Sequence, residues 1–114
     1  MSKQPNVYIK DMLAAIEKIQ LYTNGLTVES FDKNGLVQDA VVRNLEILGE
    51  AAKKVPDEIK IQFPETEWRK MAGLRDILIH DYSSIDTIII WDVIKTNLSL
   101  LKGQLKKILE VIPD

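Results

Sequence analysis

Apolar residues return at steps of three and four through most of this chain, the period of a helix with one buried face. Ile9, Met12, Leu13, Ile16 and Ile19 form one such stripe and predict a first helix from about residue 6 to 23. Asn24-Gly25 closes it with a pair that tolerates the left-handed backbone of a helix end. A short helical turn is expected over 27–33, before Asn34-Gly35. Val37, Val41, Leu45, Leu48, Ala52 and Val55 predict a second long helix over 36–54, and Pro56 then opens a short amphipathic turn over 57–63. Phe63-Pro64 breaks the chain again, because the residue before proline avoids helical geometry. Thr66 is the expected N-cap of a third helix through Trp68, Met71, Leu74 and Leu78. Ser83-Ser84-Ile85-Asp86 has the form of a capping box for a last helix over 85–108. Its start is β-branched enough for a strand, but Trp91, Ile94, Leu98, Leu101, Leu105 and Ile108 keep the helical step. Pro113 ends it. Four long helices joined by short breaks predict an all-α, antiparallel four-helix bundle with short extra helical turns.

At 114 residues and 46% hydrophobic, residues 1–114 read as one domain with its own core. A chain this small buries a limited fraction of its surface, so a stabilising second subunit is expected. Cysteine is absent, which removes disulfides, thiolate metal sites and cysteine nucleophiles. The residues from Met1 to Pro5 lead into mixed polar sequence rather than a secretory apolar core, and the longest apolar run, Ile88-Ile89-Ile90-Trp91, is core-sized. No membrane segment is expected, and a cytoplasmic location is. The net charge of −2 argues against a protein that coats nucleic acid, since such proteins are usually basic. Any RNA chemistry needs a local site or a basic patch made by assembly.

The chemistry gathers in Arg75-Asp76-Ile77-Leu78-Ile79-His80-Asp81-Tyr82. His80 is the sole histidine, the residue type best suited to proton transfer near neutral pH. On an ideal helix Asp76 and His80 stand about 40° apart and Arg75 and His80 about 140° apart. Asp76 could therefore fix the His80 tautomer, while Arg75 faces another quadrant. Either the helix ends near Ile79, or a second protomer completes the site. RNA transesterification requires a base for the 2′-OH and an acid for the leaving 5′-oxygen. Two copies across a two-fold axis supply two histidines, with two arginines for the phosphate. No metal and no cofactor is expected. Against this stands a plainer reading, with His80 as a capping or packing residue, Arg75 as a surface ion-pair member and Tyr82 as a rim aromatic.

This segment resembles a known pattern. Arg75 through His80 is similar to the Arg-x4–6-His signature of HEPN domains, in the form with a polar residue straight after the arginine. Asp81-Tyr82 extends it to Arg-x4-His-x-Tyr, which resembles the HepT subgroup. The stretch from Arg43 to Ala52 resembles the family's preceding helix, Trp68 to Leu74 its lead-in, and Ile90-Trp91-Asp92-Val93 its final helix. The resemblance runs in order over nearly the whole chain. It implies an HEPN-like fold and a homodimeric, metal-independent endoribonuclease whose paired motifs line a cleft between subunits. It further implies the toxin of a type VII (HepT/MNT) toxin–antitoxin system that cleaves transfer or messenger RNA. The implied partner is a small nucleotidyltransferase antitoxin, MNT or MntA, which adds AMP units from ATP to the motif tyrosine, here Tyr82. By the same resemblance Arg75 binds the phosphate, His80 moves the proton, and Asp76 orients one of them.

Other residues carry two readings each. Glu46 and Glu50 lie one turn apart with Arg43 a turn before, which makes either a surface ion-pair row or a cleft wall that orients Arg75 or His80. Gly49 allows close helix approach and favours Glu50 for the second role. Asn44 either bonds RNA or faces solvent. Lys102, Lys106 and Lys107 form a basic stripe, a solvated face or a contact for RNA or an acidic partner. Trp68 and Trp91 read as core or interface anchors. The main alternatives to a nuclease are a non-catalytic HEPN subunit that binds nucleotide or RNA beside a nucleotidyltransferase, and a purely structural dimerisation bundle.

Overall fold

The computed structural model describes residues 4–81 and 86–113, with the side chain of Asp81 left aside. Its order is α1 (Pro5–Thr23), α2 (Val28–Asp32), α3 (Gly35–Lys54), α4 (Asp57–Gln62), α5 (Trp68–Asp81), α6 (Thr87–Asp92), a π-helical turn (Val93–Asn97) and α7 (Leu98–Val111). Among the described residues there is no strand. Pro5 opens α1, where its missing N–H is harmless, and Gly25 follows the helix with a φ of +80°. Thr27 and Ser30 cap α2 reciprocally, each side chain meeting the other's backbone N–H, and Asn34 Oδ1 accepts from Val37 N–H to start α3.

The bundle is held by one apolar core. Ile9, Met12, Ile16 and Ile19 of α1 meet Val41, Leu45 and Leu48 of α3, and Leu98, Leu105 and Ile108 of α7 close the other side. Each fully buried aliphatic side chain contributes roughly 1.5–3 kcal/mol. α5 packs on α3 through Met71 and Leu78. Trp68 is buried and donates Nε1–H to the Phe63 carbonyl, while half-buried Trp91 packs on fully buried Phe31 with the Lys95 ammonium over its ring.

Three expectations about the elements require correction. Thr66 does not cap α5 with its side chain. Trp68 N–H goes to the Thr66 carbonyl, and the buried hydroxyl has no partner among the described residues. Ser83 to Ile85 lie outside the described residues, and Asp86 is itself the N-cap of α6, its carboxylate accepting from Ile88 N–H. The last helix is not uniform. Ile90, Ile94 and Leu98 are buried at two successive steps of four, a spacing that drifts by about 40° per step on an ideal α-helix. The wider π turn brings these side chains back to one side. Within the run Ile88-Ile89-Ile90-Trp91, Ile90 is buried while Ile88 and Ile89 are exposed.

Candidate active site

The closest helix approach in the site lies where α3 meets α5. Gly49 is buried there, and a β-carbon on it would stand 2.7 Å from the Met71 carbonyl oxygen and inside contact distance of the Arg75 side chain. Backbone oxygen cannot yield, so only glycine lets α5 lie this near α3. The contact places Arg75 beside Glu50, with Nη2 3.1 Å from Glu50 Oε2, while Nη1 reaches Asp76 Oδ1 at 3.0 Å. Lys54 and Lys53 stand behind these carboxylates, 3.7 Å from Glu50 and 3.9 Å from Asp76. The guanidinium is thus gripped on two edges. Among the described residues its partners are these two carboxylates, and a guanidinium carries five N–H donors in all.

The Arg75 side chain is 27% exposed and borders an open hollow of about 280 Å³. Tyr8 and Asp11 of α1, Arg43, Glu46 and Glu50 of α3, and Ile79 of α5 share its wall. The hollow therefore collects Arg43, Glu46, Glu50 and Arg75 from the sequence-based candidates. Asn44 is not among them. It is buried, and its Nδ2 donates to the Ala40 carbonyl of its own helix at 2.9 Å, so it does not face solvent. Tyr8 and Asp11 have no signal in the motif, because they arrive from a helix far away in sequence. Lys54 was legible as the residue one turn after Glu50.

His80 is exposed, in the last turn of α5. That helix continues to Asp81, so it does not end near Ile79, and Arg75 and His80 look to different quadrants of one helix. Asp76 turns to Arg75 rather than to His80, whose charge it feels without a hydrogen bond among the described residues. The bond from Arg75 lowers the Asp76 pKa, and the charges of Lys53, Arg75 and His80 add to this against a smaller effect of burial. Ile77 and Ile79 lie exposed in the same stretch, at 54% and 44%. Tyr82 falls outside the described residues. No three carboxylate or imidazole groups among the described residues are grouped to hold a metal ion, and no described helix is long and apolar enough to cross a membrane.

A single chain therefore fixes the Arg75 guanidinium and displays an imidazole, but does not bring the two to one point. The family described as ribonuclease HepT-like matches residues 12–108. A protein named "Probable ribonuclease HepT" from Thermococcus cleftensis is 39% identical over 108 residues, covering 95% of this chain and 98% of that protein. A provisionally named RNase from Methanocaldococcus jannaschii is 37% identical over 112 residues, covering 98% and 90%. Another, from Caldanaerobacter subterraneus subsp. tengcongensis, is 36% identical over 108 residues, covering 95% and 96%. No solved structure matches the chain.

Proposed function

This chain belongs to the ribonuclease HepT-like family, and on that footing we propose that it is an endoribonuclease acting without metal at a composite site between two copies. The observation that carries the composite site is the position of its two groups. Arg75 is fixed against α3 while His80 stands exposed on another side of α5, and apolar Ile77 between them is open to a second subunit. Facing copies would supply two imidazoles and two guanidiniums to one phosphodiester. One His80 takes the 2′-OH proton, and the 2′-oxygen attacks phosphorus. The bond to the 5′-oxygen breaks, and the second His80 protonates that oxygen. The products are a 2′,3′-cyclic phosphate and a free 5′-hydroxyl. Arg75 holds the phosphate oxygens as charge builds, with Glu50 and Asp76 fixing its orientation.

The finer reading is a toxin of the type VII class, acting on transfer or messenger RNA and silenced by a nucleotidyltransferase antitoxin that attaches AMP to Tyr82. Tyr82 follows His80 by two residues, and each AMP adds negative charge and bulk near a phosphate-binding arginine. The corresponding measurement is the mass of the chain after incubation with its nucleotidyltransferase and ATP. Additions of AMP units are expected, and they vanish in Tyr82→Phe.

For the nuclease itself, Arg75→Ala and His80→Ala each lower RNA cleavage by roughly 10³-fold with a chelator present. The assay reads cyclic phosphate ends on a labelled RNA. Full cleavage by either purified variant would remove the mechanism.

A further inference from the structure

A second groove, of about 910 Å³, is lined by α3, α4 and the start of α5. Lys53, Lys60, Arg69 and Lys70 line it against only two carboxylates, Asp57 and Glu67, on a chain whose net charge is −2. The excess of positive charge is therefore local. It adjoins the site through Lys53, whose ammonium lies 3.9 Å from the Asp76 carboxylate that holds Arg75. Arg69 and Lys70 precede Arg75 on the same helix by roughly 7.5–9 Å of rise. The Lys70 side chain is 79% exposed and its ammonium pairs with Glu67, and the Lys53 side chain is 46% exposed. The stripe of Lys102, Lys106 and Lys107 has a different setting, with Lys102 donating to Gln20 of α1.

We infer that this groove is a binding site for the sugar–phosphate backbone of single-stranded RNA flanking the scissile bond, with Lys60, Arg69 and Lys70 as its phosphate contacts. The inference rests on the ribonuclease reading for the identity of its ligand, but its test does not require cleavage. Phosphate contacts of this kind hold RNA without reading its bases, and each contributes about 0.7 to the slope of log affinity against log salt.

The test is fluorescence anisotropy of a labelled twelve-nucleotide single-stranded RNA with the full-length His80→Ala protein, from 50 to 300 mM salt. Adding Lys60→Gln, Arg69→Gln and Lys70→Gln together should weaken binding about tenfold or more at low salt and lower the slope by about 2. Glu67→Gln, which frees Lys70, should tighten binding about two- to threefold, so the inference does not hang on a loss alone. Lys102→Gln, Lys106→Gln and Lys107→Gln together should change neither quantity. The inference is overturned if the groove variant binds RNA like its parent, if the α7 variant shows the loss instead, or if the groove variant loses binding of polyglutamate but not of RNA. A protein that binds RNA through this groove yet never cleaves it would sink the ribonuclease reading alone.

Discussion

The two sides of α5 differ in what surrounds them, although both carry apolar and charged residues. On the side facing α3, Met71 and Leu78 are buried and Arg75 sits between them in sequence, pinned by Glu50 at the Gly49 contact. On the outer side, His80 stands one turn after Asp76 and Ile77, and all three are exposed. The inner side has been organised by the monomer, at the cost of a glycine in mid-helix. The outer side has not. An isoleucine more than half exposed, beside the sole histidine, is a surface left without a neighbour by its own fold. The difference teaches that the two groups assigned to the proposed mechanism depend on different levels of structure. Packing within the chain fixes the Arg75 guanidinium, while the His80 imidazole stands exposed and is not brought to Arg75 by this chain alone.

The comparison breaks most sharply at Ile77. Ile77→Asp should lower cleavage by at least about 30-fold, the effect of a charge forced into the centre of an interface, about 2 kcal/mol. Light scattering should then report a monomer whose circular dichroism and melting match the parent, because the position is exposed in the isolated chain. Retention of full activity would show that the outer side closes on nothing. Leu78, next in sequence and 1% exposed, offers the contrast, since its truncation would unfold the chain rather than dissociate it.

A change on the inner side tests the other half. Gly49→Ala forces α3 and α5 apart and should cost about 1–3 kcal/mol in denaturant unfolding, with cleavage falling as the Glu50–Arg75 pair loosens. If Gly49→Ala proved as stable and active as the parent, the close approach would not be what positions Arg75.

The smallest expected effect concerns Asp76, which is half exposed and screened by solvent. Its folded pKa lies below the ordinary carboxylate value, chiefly because Arg75 donates to it. Its stabilising contribution is therefore fully present above about pH 4 and is lost as pH falls through the lowered folded value. Urea midpoints of the parent and Asp76→Asn should differ slightly and constantly from about pH 5 to 8 and converge below about pH 4. A gap that widened in acid would reverse the sign of this coupling.

Much of the architecture was legible because helical periodicity is local. The stripe from Ile9 to Ile19 and the series Val41, Leu45, Leu48 announce their own buried faces with no knowledge of a partner. Gly49 beside Glu50 could be read as a place for a neighbouring helix, and Glu50 as a residue that orients Arg75. The π turn was not legible, since steps of three and four mix freely in the sequence and the core decides how they are wound. Nor was the fate of Asn44, whose amide had a nearer acceptor in Ala40 than any substrate. The groove of Lys53, Lys60, Arg69 and Lys70 is scattered over three elements and forms no run, whereas the visible run on α7 proved to lie elsewhere.

The sequence by itself determined the helices, their apolar faces and the residue types available for chemistry, because each follows from spacing and side-chain character along a single segment. The tertiary structure decided that Glu50 of α3 grips Arg75 of α5, and that Tyr8 and Asp11 of α1 share the hollow beside it. Those outcomes depend on distances between groups remote in sequence, which are set only when helix packs against helix.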